Sequence, residues 1–315
     1  MDLVIQQLIV GLTNGMVFAL VALGYTMVYG ILELINFAHG DLFMLAGFFS
    51  LTLVGLTDLA SLSGAPFVGL LLVIVIATAV FAGGLNWAVD RFVYRRLRGA
   101  PKLAPLVSAI GVSFIFMNVG LFWGGLPMDV FGGGKAAAAP KTFPNLLPDT
   151  NLLGDGTIRL TVKDLVVVLS SLVVMAVLYL VVRHTKLGKA MRATAQNPTA
   201  ARLMGIDVDR VIGATFMIGG ALAGFAAVIY GLYINTVRFD MGYQNGLYAF
   251  TAAVLGGIGS IPGAVLGGLV IGVVRAISDQ LIGAEWQAAV LFSMLILIHV
   301  FRPTGLLGST AREKV

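Results

Sequence analysis

Residues 4–29 of the chain, VIQQLIVGLTNGMVFALVALGYTMVY, form an apolar run with few polar interruptions. As a helix rising ~1.5 Å per residue, this run is about 39 Å long. A transmembrane helix needs roughly 20 apolar residues to cross the hydrocarbon core. The run therefore predicts a membrane-spanning helix.

The composition extends this interpretation to the rest of the chain. Of its 315 residues, 58% are hydrophobic and 11% are charged, and the mean hydropathy is +0.97. Soluble domains carry about 25% charged residues, so this composition excludes a soluble protein. The absence of cysteine excludes disulfides, thiol catalysis and cysteine metal ligands. We expect one all-α, polytopic transmembrane domain over residues 1–315.

Further apolar runs follow along the chain. Three are short for a membrane crossing, namely residues 42–56, 247–258 and 264–277. The first follows the polar stretch 31–41, and the other two flank a Gly-rich break. We therefore expect about 8–9 transmembrane helices, with broken or re-entrant half-helices near 31–56 and 246–278. The remaining runs cover residues 67–89, 103–123, 165–182, 211–233 and 286–301.

Lys and Arg residues are concentrated in three segments, residues 90–102, 183–210 and the tail from 302. Counting the spans places all three on one face, which the positive-inside rule makes cytoplasmic. The loop 124–163, rich in Gly and Pro and balanced in charge, then falls on the external face. The net charge of +5 reflects this arrangement and does not indicate nucleic-acid binding.

The basic segment 185–210, TKLGKAMRATAQNPTAARLMGIDVDR, contains the signals of a short helix. Asn197 is a good N-cap, Pro198 suits the first helical position, and Gly205 suits the left-handed residue that ends a helix. Helices this short are marginal in water and need a surface to lie on. Two interpretations remain open: a basic loop on lipid headgroups, or a docking element for a soluble partner.

Motifs for catalysis or nucleotide binding are not found. The sequence has neither Gly-x-Ser-x-Gly nor His-Glu-x-x-His, and its three His residues lack metal-ligand spacing. Gly134-Lys135 and Gly188-Lys189 are followed by Ala, where a phosphate loop needs Ser or Thr. We expect no catalytic residues, no metal site and no cofactor.

Polar residues within apolar regions are the remaining functional candidates. A helix that starts inside the membrane points free N–H groups and a positive dipole end at the site, which suits an anionic group such as an amino-acid carboxylate. The alternative is an interfacial turn in which Asn36 or Asp41 caps the helix. The candidates in this first group are Asn36, His39, Gly40 and Asp41.

A second break, around Gly259 and Gly263, adds two candidates for the translocation path. Its alternative explanation is close helix packing, because small residues recur there at a spacing of four. Arg275 and Asp279, also four apart, are expected to pair within one helix.

Four segments carry a resemblance to a known family: INFAHGD at 35–41, GKAMRATAQNPTAARLMGID at 188–207, FTAAVLGGIGSIPGAVLGG at 250–268 and RPTGLLG at 302–308. In this order, over nearly the full chain, they resemble the LivH-type permease of branched-chain amino-acid ABC importers. The loop 124–163 carries no part of the resemblance.

The resemblance implies a permease of the bacterial inner membrane that moves branched-chain amino acids or related small amino acids and amides. Its implied partners are two ABC ATPase subunits, which bind the ATP, a second permease of the LivM type, and a periplasmic substrate-binding protein. It also implies that the segment 185–210 couples to the ATPases. The implied coupling residues are Gly188, Ala190, Arg192, Ala193, Asn197, Pro198, Ala200, Ala201, Gly205 and Ile206.

The alternative function is a stand-alone secondary transporter of small polar solutes, driven by an ion gradient. Such a transporter needs ionisable residues inside the membrane. The sequence offers few of them: Glu33, His39, Asp41, Arg275 and Asp279.

Overall fold

The computed structural model describes residues 2–57, 59–101, 103–134, 136–154 and 156–308. Eight helices in this part of the chain are long and apolar enough to cross a membrane, which confirms the prediction of an all-α, polytopic protein. They are Asp2–Leu32, Ala38–Leu56, Gly64–Leu97, Leu103–Gly124, Val162–His184, Val208–Ile234, Ile261–Leu281 and Ala284–Phe301.

The helices are numbered in chain order. They are α1 (Asp2–Leu32), α2 (Ala38–Leu56), α3 (Gly64–Val89), α4 (Arg95–Leu97), α5 (Leu103–Gly124), α6 (Val162–His184), α7 (Lys186–Gln196), α8 (Pro198–Leu203), α9 (Val208–Ile234), α10 (Met241–Gly256), α11 (Ile261–Leu281) and α12 (Gln287–Phe301). A π-helical turn, Asp90–Tyr94, joins α3 to α4, and short 3₁₀ turns lie at Leu59–Ser61, Asp129–Gly134 and Ala284–Trp286. Two short strands, β1 (Lys141–Thr142) and β2 (Thr236–Val237), pair antiparallel.

The core of the bundle is formed by α1, α2 and α9. In the most apolar stretch of each of these helices, 72–78% of the residues are buried. In the corresponding stretches of α3, α5, α6 and α12, 22% or fewer are buried. The peripheral helices therefore present apolar side chains outward, as helices that face lipid or another membrane subunit do.

Glycines allow α1 and α11 to pack backbone against backbone. A Cβ built on Gly272 would lie 2.2 Å from the carbonyl oxygen of Gly11, and one built on Gly268 would lie 2.6 Å from the Cα of Ala19. Small residues permit such an approach in membranes, where close packing replaces the hydrophobic effect as the source of helix association.

Both predicted helix breaks exist, but the helices beside them are longer than the apolar runs suggested. Glu33, with φ +54°, ends α1 in the left-handed region. The expected half-helix 42–56 is wrong in its start, because α2 begins at Ala38 and takes the polar His39 and Asp41 into its first turn. At the second break, α11 has 21 residues, and only the 16-residue α10 remains short.

The loop 124–163 is a folded cap more than a free solvated loop. Phe131 and Phe143 are fully buried, and β1 pairs with β2, which directly follows the C-terminal end of α9. The Lys163 ammonium lies 2.7 Å from an Asp149 carboxylate oxygen, and this hydrogen bond lowers the pKa of Asp149. The cap is thereby fixed to the first turn of α6.

Hydrogen bonds define the two faces of the bundle. The Thr157 hydroxyl donates to Asp2 at 2.6 Å, so the start of α1 lies on the same face as the cap. At the other end of α1, Gly30 lies beside Gly259. The C-terminal segment 302–308 packs there too, because the Leu306 amide donates to the Leu255 carbonyl at 2.8 Å. We call this end, with the segment 185–210, the basic face.

Candidate functional site

A cavity of about 310 Å³ lies where the first turns of α2 and α10 overlap. Phe114 and Tyr243 at its edge are 57% and 65% exposed, so the cavity opens to the surface between α5 and α10. Its lining comprises Tyr25 of α1, Phe37 and Asp41 beside α2, Ile110, Ser113, Phe114 and Met117 of α5, and Gly242, Tyr243, Gly246, Leu247 and Phe250 of α10.

Three glycines bring the two helices together at this cavity. A Cβ built on Gly40 would lie 2.4 Å from the Gly242 carbonyl oxygen and 2.9 Å from the Cα of Gly246. No other residue type fits at Gly40 without moving one helix away from the other. Gly40 therefore shapes the wall of the cavity through backbone contact.

The first turn of α2 lies well inside the bundle. The Ser113 hydroxyl donates to the Asp41 carboxylate, and Ser113 is about 15 Å along α5 from Leu103 at ~1.5 Å per residue. This depth agrees with the prediction that a helix begins partway through the bundle, and it argues against a purely interfacial turn.

Asn36 holds the start of α2 in place through three side-chain hydrogen bonds. Its side chain accepts from the Ala38 amide at 3.2 Å and from the Tyr94 hydroxyl at 3.1 Å, and it donates to Asn86 at 3.2 Å. Asn86 in turn donates to the Phe216 carbonyl at 2.7 Å. Asn36 therefore bonds the first amide of α2 and connects this helix to α3 and α9, outside the cavity lining.

The other predicted path residues also lie outside the cavity lining. His39 is buried against α1, with its ring 4.8 Å from that of Tyr25. Gly259 has φ +93° in the turn between α10 and α11. Gly263 packs on the end of α10, where a Cβ would lie 2.4 Å from the Gly256 carbonyl oxygen. Their roles in translocation stay predictions.

The helix signals of the segment 185–210 are confirmed. The Asn197 side chain accepts from the Thr199 and Ala200 amides at 3.0 Å, Pro198 occupies the first helical position of α8, and Gly205 has φ +80°. Thr185 caps α7 in the same way, by accepting from the Gly188 amide.

Several of the predicted coupling residues serve the internal packing of this segment. A Cβ on Gly188 would lie 2.1 Å from the Val182 carbonyl oxygen, to which Arg192 donates. Ala201 is buried, whereas Ala200 is exposed. The half-buried members are Ala190, Ala193 and Ile206.

Two apolar side chains at the tip of α8 escaped the sequence analysis. Leu203 and Met204 are 84% and 83% exposed. In the sequence they stand directly before Gly205, in a stretch whose other residues are basic or small. That contrast could have indicated an exposed apolar contact. We call this pair the apolar tip.

A cluster of charged side chains connects the end of this segment to the continuous helix Gly64–Leu97, which comprises α3, the π-helical turn and α4. Arg98 bonds both Asp209 of α9 and Asp90 of the π-helical turn, the latter at 2.7 Å. Arg95 adds a second bond to Asp209 at 2.7 Å. The same turn carries Tyr94, which donates to Asn36 at the start of α2. Contacts therefore run without a gap from the segment 185–210 to the wall of the cavity.

Replacing Arg98 by alanine is expected to lower the stability of the protein by about 3 kcal/mol, because it leaves the buried Asp90 carboxylate without its cation. Arg96→Ala is the matched control, since Arg96 is exposed and makes no ion pair among the described residues. Thermal unfolding of the two variants in detergent measures the difference. Equal melting temperatures would show that the cluster contributes nothing.

The expected pair between Arg275 and Asp279 is wrong. The guanidinium of Arg275 lies over the rings of Tyr248 and Phe18, at 4.7 and 5.5 Å from their centroids. Asp279 instead accepts from Gln287 of α12. Stacking on two aromatic faces stabilises the cation and competes with the i, i+4 pair.

The bundle of span-length helices, with a cavity inside it, defines a polytopic membrane protein. Residues 7–299 match the family described as branched-chain amino acid transport system / permease component, and the chain belongs to that family. The prediction made from the four sequence segments is thus confirmed.

Curated relatives agree along nearly the whole chain. The high-affinity branched-chain amino acid transport system permease protein BraD of Pseudomonas aeruginosa is 38% identical over 314 residues, which cover 99% of this chain and 98% of BraD. LivH of Salmonella typhimurium, described in the same words, is 36% identical over 320 residues, with 99% and 97% covered. The probable LivH of Methanocaldococcus jannaschii is 27% identical over 296 residues, with 92% and 88% covered. No solved structure was found to match this chain.

Proposed function

We propose that the chain is the membrane-spanning subunit of an ATP-driven importer of branched-chain amino acids or related small amino acids and amides. The observation that carries the proposal is the apolar tip, which stands on a rigidly capped helix at the basic face. Large apolar side chains this exposed mark a contact surface, and the proposal assigns this surface to the ATPase subunits. The substrate class is that of BraD and LivH, which are permease proteins of high-affinity branched-chain amino acid transport systems.

The proposed partners are those that membership of the family and the resemblance to LivH-type permeases imply. Two ATPase subunits bind ATP and receive the apolar tip in a cleft, with the exposed Ala200 allowing close approach. A second permease of the LivM type covers the open side of the cavity between α5 and α10. A periplasmic binding protein delivers the amino acid at the cap. The chain itself holds no nucleotide, cofactor or metal in this scheme.

The proposed orientation places the chain in the bacterial inner membrane with its basic face in the cytoplasm, which follows the positive-inside rule. The segment 185–210 and the C-terminus are then cytoplasmic. The cap formed by 124–163 is periplasmic, and so is the start of α1, which bonds to the cap through Asp2 and Thr157.

Closure of the ATPase dimer would drive the motion. A push on α8 reaches Asp209 at the start of α9, and Arg98 transmits it to the π-helical turn at Asp90. Tyr94 on that turn bonds Asn36, so the start of α2 moves with it. Because α2 and α10 touch through Gly40, this displacement changes the width of the cavity.

Reconstitution into liposomes tests the function. The chain with its partner permease, ATPases and binding protein is expected to concentrate leucine, isoleucine or valine when ATP is supplied without an ion gradient. The chain alone is expected to accumulate none of them under a Na⁺ or H⁺ gradient. Accumulation by the chain alone would instead establish the secondary-transporter alternative, with Asp41 as the natural coupling residue.

A further inference from the structure

The carboxylate of Asp41 is only half satisfied in the wall of the cavity. The residue is 3% exposed, and one carboxylate oxygen, Oδ2, accepts from the Ser113 hydroxyl. The other oxygen, Oδ1, has no hydrogen-bond partner among the described residues. A buried carboxylate oxygen without a donor is unfavourable, so a donor from outside the chain is the natural complement.

The neighbouring helix lies directly against that oxygen. A Cβ built on Gly242 would lie 2.6 Å from Oδ1 of Asp41, and one built on Gly246 would lie 3.3 Å from the Tyr25 hydroxyl. Both glycines line the cavity. Glycine at both positions lets α10 lie this close to Asp41, so the carboxylate and the first turn of α10 border the same cavity.

The remaining lining decides the chemistry of that donor. No Lys, Arg or His lines the cavity, so Asp41 is the charged group there and it is acidic. The rest of the lining is largely apolar, with Ile110, Phe114 and Leu247 among its members. The volume of about 310 Å³ lies at the small end of the range for ligand pockets. A compact molecule with one cationic donor and one aliphatic end matches these features.

We propose that Asp41 binds the ammonium group of an aliphatic amino acid during passage, while the aliphatic side chain packs against the apolar wall. The first turn of α10 begins beside the same cavity, and its positive end favours the carboxylate of the zwitterion. This inference rests on the proposed function and adds to it a group that recognises the substrate inside the membrane. Asp41 is then a specificity residue of the permease, separate from any selectivity of the binding protein.

Three probes separate the ammonium from the other parts of the substrate. Leucine carries both charged groups, 3-methylbutylamine carries only the ammonium, and 4-methyl-2-oxopentanoate carries only the carboxylate. Their binding is measured on the permease–ATPase complex in nanodiscs without the binding protein, by displacement of radiolabelled leucine. For the unmodified complex, the amine is expected to displace leucine and the oxo acid to displace it at least 10-fold more weakly.

The variant Asp41→Asn is expected to lower the affinity for leucine and for the amine by about 10- to 100-fold, because one charge-assisted hydrogen bond is lost. The affinity for the oxo acid is expected to stay unchanged. Asp129→Asn, an exposed carboxylate outside the cavity, is the matched control and should bind all three probes normally.

The inference is overturned if Asp41→Asn binds the amine as well as the unmodified complex does. It is equally overturned if the variant's affinity for the oxo acid falls as much as its affinity for the amine. It is also overturned if no probe displaces leucine, or if leucine itself does not bind. These failures leave the proposed function intact as long as the complete importer still concentrates leucine with ATP. Failure of ATP-driven uptake by the unmodified importer would count against the proposed function itself.

Discussion

Replacing Leu203 and Met204 together by aspartate is expected to abolish ATP-driven uptake and to release the ATPase subunits during purification. The two side chains are 84% and 83% exposed at the end of α8, so they offer adjacent apolar surface to a cleft. Burying two carboxylates in an apolar cleft costs several kcal/mol, which is enough to lower the affinity more than 100-fold. Co-purification of the ATPase with a tagged chain measures the effect.

A matched control for this variant exists on the opposite face. Leu152 and Leu153 form another adjacent apolar pair, 49% and 57% exposed in the cap. Their double replacement by aspartate is expected to leave the ATPase bound at its normal ratio. If the Leu203 and Met204 variant also retains the ATPase and transports normally, α8 is not the docking element.

Replacing Gly272 by leucine is expected to produce the second large effect, a loss of about 3 kcal/mol or more in the stability of the bundle. Any Cβ at this position lies 2.2 Å from the Gly11 carbonyl oxygen and 2.5 Å from the Cα of Gly15. These neighbours are backbone atoms, so the clash is relieved only by separating α1 from α11. Thermal unfolding in detergent, followed by circular dichroism, measures the loss.

Gly84→Leu tests whether this loss is specific to the helix contact. Gly84 lies on α3, and a Cβ built on it meets no atom within 4 Å. The change in helix propensity is the same in both variants, so the difference between them reports the contact alone. Comparable melting temperatures for the two variants would mean that α1 and α11 are not held by their glycines.

Much of the fold was predictable because its signals are local. Apolar runs long enough to cross a membrane predicted the spans, and Asn197, Pro198 and Gly205 predicted the limits of α8. The start of α2 was missed for a related reason: counting apolar residues excludes His39 and Asp41, although both are buried inside the bundle. A polar residue in a helix is invisible to hydropathy when its partner lies elsewhere in the chain.

The cavity was only partly predictable because its walls come from helices far apart in sequence. Asp41 was identified, but Ser113, its hydrogen-bond donor, lies in an ordinary apolar span with no motif around it. Gly242 and Gly246 did offer a signal, since small residues spaced by four mark a close helix contact. Nothing local, however, indicates that their contact is the first turn of α2.

The same limit applies to the polar contacts at the basic face. Arg95 and Arg98 were placed on that face correctly, but a count of basic residues cannot tell which carboxylates they meet. Both bond Asp209, more than a hundred positions along the chain. The pairing of Arg275 with two aromatic rings, in place of Asp279, escaped prediction for this reason too.

Site-specific cross-linking tests most directly the claim that motion enters the permease through α8. The chain has no cysteine, so a single Leu203→Cys variant carries one reactive thiol. In the assembled importer, a short cross-linker at this thiol is expected to capture an ATPase subunit and to block ATP-driven uptake, whereas Leu153→Cys in the cap is expected to capture none. Capture of the ATPase from position 153, or unimpaired uptake after complete cross-linking at position 203, would contradict that claim.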